Sequence, residues 1–251
     1  MANDAPLSPP DFAVRYANLA SPRFGTVAVE ASDEFFAAKE RMLADAEPQF
    51  DADRYDDNGK WMDGWESRRK RGPGNDWCLI RLGVSARVRG IDIDTRHFTG
   101  NYPPAARLEG AFCDERPADG AFASLMPVKS LGPDAHHFVA IDHAAPVNWL
   151  RLNIYPDGGI ARLRIYGEPV PQWRASGPDA VHELSALANG GRIVACNDAH
   201  YGDPWAILAP GRGANMGDGW ETRRRREPGH DWMIVELGHA GLIERIEVDT
   251  A

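Results

Sequence analysis

The sequence predicts an all-β protein made of two tandem β-sandwich domains of jelly-roll type. Apolar and polar residues alternate in WCLIRLG (77–83) and in VRGIDID (88–94), as they do in half-buried strands. WLRLNIYPDGGIARLRIYG (149–167) is typical of two strands joined by a turn at residues 156–159. Many short strands separated by turn residues favour a sandwich. A long internal repeat indicates two such domains.

The repeat centres on a charged, tryptophan-flanked motif. DGWESRRKRGPGNDW (63–77) recurs as DGWETRRRREPGHDW (218–232), with 11 of 15 positions identical. Upstream, TVAVEASDEFF (26–36) aligns with GRIVACNDAHY (191–201), and the first copy is ten residues longer between this segment and the motif. The period is far too long for a solenoid, so we interpret the repeat as a duplicated domain.

The alignment of the two copies suggests the domain boundaries. We predict an N-terminal extension (1–18), a first repeat (19–170), a linker (171–184) and a second repeat (185–251). The second copy stops soon after IEVDT, where the first continues through several more strands, so we expect the second repeat to be truncated and its sheet incomplete.

One short segment has the features of a helix. SDEFFAAKERML (32–43) begins with Ser32, a favourable N-cap residue, and Asp33 and Glu34 follow in the first turn. We therefore predict a short helix there.

The composition of the chain restricts the classes of partner that it can bind. A net charge of −9 disfavours nucleic acid and anionic membranes, and no apolar run is long enough for a membrane helix. The three cysteines form no CxxC pair, which argues against a disulfide framework, and the N-terminus has no apolar core of a signal peptide. We expect a cytoplasmic protein with a small-molecule partner; a homo-oligomer is compatible with the sequence.

The repeated motif has two interpretations. Trp65 and Trp77 fit the core of a sandwich, with the arginines paired to Asp63, Glu66 and Asp76. Alternatively, arginine forks and carboxylates beside an aromatic wall hold a small carboxylated or zwitterionic ligand. Surface ion pairs contribute little stability, so the charge density alone leaves both interpretations open.

DIDTRHFTGNYPP (92–104) carries a second constellation. Asp92, Asp94 and His97 are candidate metal ligands, since a strand followed by a turn can bring carboxylates and an imidazole together. The alternative is that both aspartates line the polar face of a strand. Asn101 lies in the same loop, where ligand contacts are common.

Several long blocks resemble the allantoicase family in the same order. They are SDEFFAAKERML, GKWMDGWESRRKRGPGNDWCLIRLG, DIDTRHFTGNYPP and YPDGGIARLRIYG, followed by VACNDAHYGDPWAIL and MGDGWETRRRREPGHDW. The resemblance covers nearly the whole chain from Leu19. Asn197 and Ala199 depart from the Ser and Glu expected there.

The resemblance implies two jelly-roll repeats of galactose-binding-like topology. It also implies hydrolysis of allantoate to ureidoglycolate and urea in purine-nitrogen catabolism. A non-catalytic jelly-roll module that binds a small polar or sugar ligand is the alternative, because this fold serves both roles.

The chemistry of allantoate then suggests roles for the candidate residues. Arg68 or Arg69 would bind the carboxylate, and at most one of them directly, since neighbouring residues of an extended chain point opposite ways. Asp33, Asp63 and Glu66 would bind the ureido groups, and Asn101 would be a further substrate contact. His97 and Asp94 would transfer protons. The sequence requires no cofactor and leaves room for a divalent metal at Asp92, Asp94 and His97.

Overall fold

The structure is a computed structural model that describes residues 9–171, 180–202, 204–213 and 215–250. The chain divides into two compact units, Met1–Glu168 and Pro169–Ala251, called here the first and second units. Residues 1–8 of the predicted extension and 172–179 of the predicted linker lie outside the described residues.

Strands dominate the first unit and the second unit contains one strand pair, which confirms the all-β class. In the first unit they are β1 (Val27–Ala31), β2 (Tyr55–Asp56), β3 (Gly59–Lys60), β4 (Trp65–Glu66), β5 (Asp76–Asp94), β6 (Ala105–Ala111), β7 (Ala123–Ser130), β8 (His136–Ala140), β9 (Val147–Tyr155), β10 (Gly159–Ile160) and β11 (Arg162–Pro169). The second unit contains β12 (Arg192–Cys196) and β13 (Met233–Glu236). The helices are α1 (Asp11–Arg15) and short 3-10 turns at Pro22–Phe24, Lys39–Leu43, Asp119–Ala121, Leu187–Asn189 and Pro204–Leu208. In the described part of the chain, no helix has the length and hydropathy needed to span a membrane.

The long strand β5 organises the first unit. The two predicted strands of this region form one continuous strand of 19 residues. Its first half pairs with β1 and β9, and residues 90–94 pair with β8. The order β1-β5-β9-β6-β7 completes this sheet, and β11 also pairs with β5. The core lies where the inner side chains of these strands meet, among them Ile80, Leu152 and Leu163.

The predicted helix at residues 32–43 is wrong, apart from the 3-10 turn at its end. The main chain of Ala37 instead exchanges two hydrogen bonds with that of Glu66, at 3.1 and 3.2 Å. Ser32 caps no helix: its hydroxyl donates to Asp76 Oδ1 at 2.9 Å. Pairing with a distant part of the chain therefore outweighs the local helix preference.

The second unit repeats the strand pairing of the first. β1 pairs with β5 as Val27↔Arg81, Ala28↔Ile80, Glu30↔Leu79 and Ala31↔Cys78, while β12 pairs with β13 as Arg192↔Glu236, Ile193↔Val235, Ala195↔Ile234 and Cys196↔Met233. These are the aligned positions of the two copies, and the register shifts at the same step in both. Residues 241–250, which align with the second half of β5, are not in a strand.

A segment called here the strap, residues 44–49, is held by arginines of β11. Arg162 is only 1% exposed and donates to the carbonyls of Ala46 and Asp63 at 2.7 and 2.9 Å. It also donates to the Asp63 carboxylate at 2.8 Å, and the amide of Gln49 donates to the same carboxylate oxygen at 2.9 Å. Asp63 therefore anchors the strap.

On β5, Asp92 lies beside His136 of β8. Asp92 Oδ2 is 2.6 Å from His136 Nδ1, and its Oδ1 accepts a hydrogen bond from the amide of His137. The imidazole of His136 stacks on Phe138 with 5.4 Å between ring centroids. The hydrogen bond with Asp92 raises the pKa of His136, against the opposing effect of burial.

Replacing Arg162 tests the strap contact. Arg162→Met should lower the free energy of unfolding by roughly 3–5 kcal/mol, because it removes the buried guanidinium that donates to the Ala46 and Asp63 carbonyls and pairs with the half-buried Asp63 carboxylate. Arg116→Met is the control, since Arg116 forms an exposed pair with Glu30 at 2.8 Å and should cost less than about 1 kcal/mol. Urea denaturation measures both. Equal losses in the two variants would contradict the structural role of Arg162.

The His136–Asp92 contact predicts a pH-dependent contribution to stability. Since the folded-state pKa of His136 is raised, its contribution is fully present below the unfolded pKa of about 6.5 and is lost as pH rises through the folded pKa. The difference in unfolding free energy between the parent and His136→Gln should thus be larger at about pH 5.5 than at about pH 8.5. His143→Gln is the matched control. A gap that is constant with pH, or that widens in alkali, would refute the contact.

Candidate active site

The buried carboxyl of Glu66 lies at the centre of the candidate site. β4 places it between β10, where it pairs with Gly159, and the main chain of Ala37. The residue is 9% exposed, and Asn101 Nδ2 donates to its Oε1 at 2.8 Å. Burial raises the pKa of Glu66, and the single side-chain hydrogen bond from Asn101 only partly offsets this. The result is a carboxyl that keeps its proton to a higher pH than an exposed glutamate.

Two glycines allow the loop that carries Asn101 to reach this strand. The amide of Gly159 donates to the Asn101 carbonyl at 2.7 Å, and a Cβ at Gly159 would lie 1.9 Å from the Phe98 ring. Gly158 has φ 139°, and a Cβ there would lie 2.8 Å from the Asn101 carbonyl oxygen. Larger residues at either position would push the loop, and with it the amide of Asn101, away from Glu66.

Asp33 and Arg68 form an ion pair next to Glu66. Asp33 Oδ1 accepts from the Arg68 amide at 2.8 Å, while Oδ2 accepts from Nε at 2.7 Å and lies 2.6 Å from Nη2. The indole of Trp65 donates to the Asp33 carbonyl at 2.8 Å. Burial acts to raise the pKa of Asp33, but the hydrogen bonds from Arg68 hold it below its ordinary value.

The second unit builds the same frame. Asp198 accepts from the Arg223 amide at 2.7 Å, and the Trp220 indole donates to the Asp198 carbonyl at 2.7 Å. Glu221, the counterpart of Glu66, pairs through its main chain with Tyr201 but is exposed. The Asp–Trp–Arg frame is therefore common to both units, whereas the buried glutamate belongs to the first.

A second anchor of the motif is shared by the units: the basic residue pairs with the aspartate in both, Lys70 with Asp76 and Arg225 with Asp231. The partner of the other carboxylate oxygen differs. In the first unit, Lys70 Nζ lies 2.8 Å from Asp76 Oδ1, and Asp76 Oδ2 is the one buried side-chain oxygen or nitrogen of the described residues without a hydrogen-bond partner. In the second unit, the hydroxyl of Thr222 donates to Asp231 Oδ2 at 2.8 Å. The arginine-rich loop is tied down by an aspartate in both.

Asp94 and His97, the two residues expected to transfer protons, make other contacts in the structure. Asp94 is 1% exposed and accepts from Arg96 Nε and Nη2, at 2.9 and 2.7 Å through Oδ2. His97 Nε2 lies 3.1 Å from the Pro48 carbonyl oxygen, and the ring stacks on Phe50. Both side chains thus make structural contacts, Asp94 at the end of β5 and His97 in the loop that follows it.

The candidate metal ligands are not brought together either. Asp92 is engaged with His136, and Asp94 with Arg96, while His97 faces the strap. Across the residues that the structure describes, no three His, Cys, Asp or Glu side chains converge in a way that suits a metal ion.

The remaining candidates fall into two groups. Glu66, Asn101, Asp33 and Arg68 gather around β4, whereas Asp63 is turned toward the strap. Arg69 is exposed, and within the described ranges no hydrogen bond or ion pair engages its guanidinium. The sequence pattern does not mark Asp134, whose carboxylate accepts from the His97 amide at 2.8 Å. The only feature of the sequence that points to Asp134 is its position after Gly132 and Pro133, in a turn that leads into a strand.

Comparisons with known proteins identify the family of the chain. The family model described as "Allantoicase repeat" matches residues 17–170 and 182–251. Probable allantoicase 1 of Burkholderia mallei is 52% identical over 244 residues, which cover 96% of this chain and 72% of the relative. A probable allantoicase of Pseudomonas paraeruginosa is 55% identical, with 94% and 71% covered. The crystal structure of allantoicase from Saccharomyces cerevisiae superposes with a TM-score of 0.75 at 33% identity, covering 89% of this chain and 68% of that one. With two repeats matched, the chain belongs to the allantoicase family.

Proposed function

We propose that this protein hydrolyses allantoate to ureidoglycolate and urea, with the buried carboxyl of Glu66 as the proton-transferring group. The observation that carries the proposal is the burial of Glu66, which raises its pKa, at a convergence of loops. Membership of the allantoicase family supports the substrate. The same membership disfavours the alternative of a non-catalytic binding module.

The reaction needs two proton transfers, one from Glu66 to the leaving nitrogen and one from water back to Glu66. The central carbon of allantoate carries a carboxylate and two ureido groups. As the bond from this carbon to one ureido nitrogen breaks, that nitrogen takes the proton of Glu66 and leaves as urea. The lone pair of the other ureido nitrogen stabilises the carbon. Water then adds there and returns a proton to the Glu66 carboxylate, giving ureidoglycolate. A carboxyl whose pKa is raised toward the working pH suits both steps.

Neighbouring groups supply recognition. We assign the substrate carboxylate to Arg69, because Arg68 already donates its Nε to Asp33 and lies in an ion pair with it, whereas Arg69 is exposed three positions from Glu66. The Asn101 side chain and the Asp33 carboxylate would accept hydrogen bonds from ureido N–H groups, which would otherwise lose their water partners on binding.

The charge and the cysteines of the chain support the wider setting. A net charge of −9 supports a small-molecule partner rather than nucleic acid or an anionic membrane. The three cysteines form no CxxC pair and fit no disulfide framework, so we propose the cytoplasm as the compartment.

The first test is urea release by matched glutamate variants. The parent should release urea from allantoate, and Glu66→Gln should lower kcat by roughly 10²–10⁴-fold, as loss of a general acid does. Glu221→Gln removes the exposed counterpart in the second unit and should retain parental turnover. A folded parent that releases no urea would sink the proposed function. Parental turnover in Glu66→Gln would reject Glu66 as the proton-transferring group.

The arginine assignment has a matched pair of its own. Arg69→Ala should lower kcat/KM on the order of 10²-fold, because a charge-assisted clamp is worth a few kcal/mol and each 1.36 kcal/mol is about tenfold. Arg224→Ala, at the aligned position of the second unit, should leave kcat/KM within about threefold. Steady-state kinetics on both variants decide. If Arg69→Ala also stays within about threefold, the clamp lies elsewhere and Arg68→Ala is the next variant.

A further inference from the structure

Two strained turns face each other beside the candidate site. Among the described residues, His97 (φ 70°) and Asp134 (φ 48°) are the only non-glycine residues in the left-handed region of backbone space. They lie in different loops, yet Asp134 Oδ1 accepts a hydrogen bond from the His97 amide at 2.8 Å. Such conformations are costly for residues with a side chain and persist where surrounding contacts hold them.

Several contacts fasten these two loops together. The hydroxyl of Thr95 donates to the Gly132 carbonyl at 2.8 Å, and the Thr95 amide donates to the Ala135 carbonyl at 2.9 Å. The carboxylate of Asp134 is the side chain that reaches the strained position itself, since it satisfies the amide of His97. The imidazole of His97 points away, toward the Pro48 carbonyl.

The turn at His97 sets the path of the next four residues. Phe98 follows directly and is fully buried against Gly159. Asn101 then meets Gly159 through its carbonyl at 2.7 Å and Glu66 through its side-chain amide at 2.8 Å. A change of backbone direction at His97 would therefore displace Asn101 and disturb its hydrogen bond to Glu66.

We propose that Asp134 is a positioning residue for the reaction: by holding His97 in its left-handed turn, it fixes the Asn101 amide against the Glu66 carboxyl. This inference rests on the proposed allantoate hydrolysis. It gives His97 a main-chain role and adds a residue that makes no contact with Glu66.

The surroundings of Glu66 make Asn101 the group through which this effect acts. Two neighbouring carboxylates are engaged elsewhere: Asp33 with Arg68, and Asp157 with the amide of Lys70 at 2.8 Å. Asn101 donates the side-chain hydrogen bond that lowers the pKa of Glu66 against the effect of burial. Displacing Asn101 should therefore raise that pKa further.

Variants at Asp134 test the proposal. Asp134→Ala should lower kcat by roughly tenfold to a hundredfold, as expected for a misplaced catalytic group, and should raise KM by a smaller factor because Asn101 also binds a ureido group. The limb of the pH–rate profile set by Glu66 should move to higher pH. Asp134→Asn keeps an Oδ1 acceptor and should stay near the parent. Asp114→Ala, an exposed aspartate in the β6–β7 connection, is the control.

A second variant separates positioning from general damage to the fold. His97→Gly keeps the amide and adopts positive φ without strain, so it needs Asp134 less. In that background, Asp134→Ala should cost less than about threefold in kcat. An equal loss in both backgrounds overturns the proposal. Complete inactivity of His97→Gly also overturns it, because the imidazole would then be required.

A titration that needs no turnover distinguishes this inference from the proposed function. The Glu66 carboxyl carbon can be followed by NMR in protein labelled with ¹³C at the glutamate side chain, with Glu66→Gln for assignment. The pKa of Glu66 should be higher in Asp134→Ala than in the parent. An unchanged pKa overturns the positioning role even if urea is released. A parent that releases no urea but shows the shift loses the proposed reaction and keeps the link from Asp134 to Glu66.

Discussion

The desolvation of the Glu66 carboxyl is the constraint on which the rest of the site depends. A carboxyl enclosed between two segments of main chain, with one side-chain donor, favours its protonated form. Keeping water away requires close approach of three chain segments, and Gly158 and Gly159 permit that approach where any side chain would collide. The sheet built on β5 holds those segments in place. The fold therefore contributes to the chemistry by excluding water from the Glu66 carboxyl.

Comparison of the two units separates architecture from chemistry within one chain. The tryptophan and aspartate contacts that brace the arginine-rich loop occur in both copies with nearly the same distances. These contacts form whether the glutamate of the motif is buried or exposed. We therefore interpret them as a structural frame inherited from the duplicated ancestor. In the first unit, Asn101 of the loop from β5 to β6 also reaches Glu66. The contacts that both copies of the motif share are thus structural, and we propose that Glu66 of the first copy carries the reactivity.

The sequence was informative where structure depends on local patterns. Alternation located the strands, and the duplicated motif located the two repeats. It failed where distant contacts decide: the middle of the segment from residue 32 to 43 bonds to β4 and only its end forms a 3-10 turn, because main-chain bonds between Ala37 and Glu66 replace helical ones. The pattern of Asp92, Asp94 and His97 looked like ligands on one strand and turn. Nothing local reveals that Arg96 and His136 engage the two carboxylates, or that burial sets Glu66 apart from its exposed repeat.

We propose that substrate binds at the loops around Glu66 in the first unit. A structure of the Glu66→Gln variant with allantoate tests this binding site most directly. We expect one ureido group within hydrogen-bond distance of residue 66 and the substrate carboxylate paired with Arg69. Allantoate bound beside Asp92 and His136, or against the frame of the second unit, would contradict the central claim.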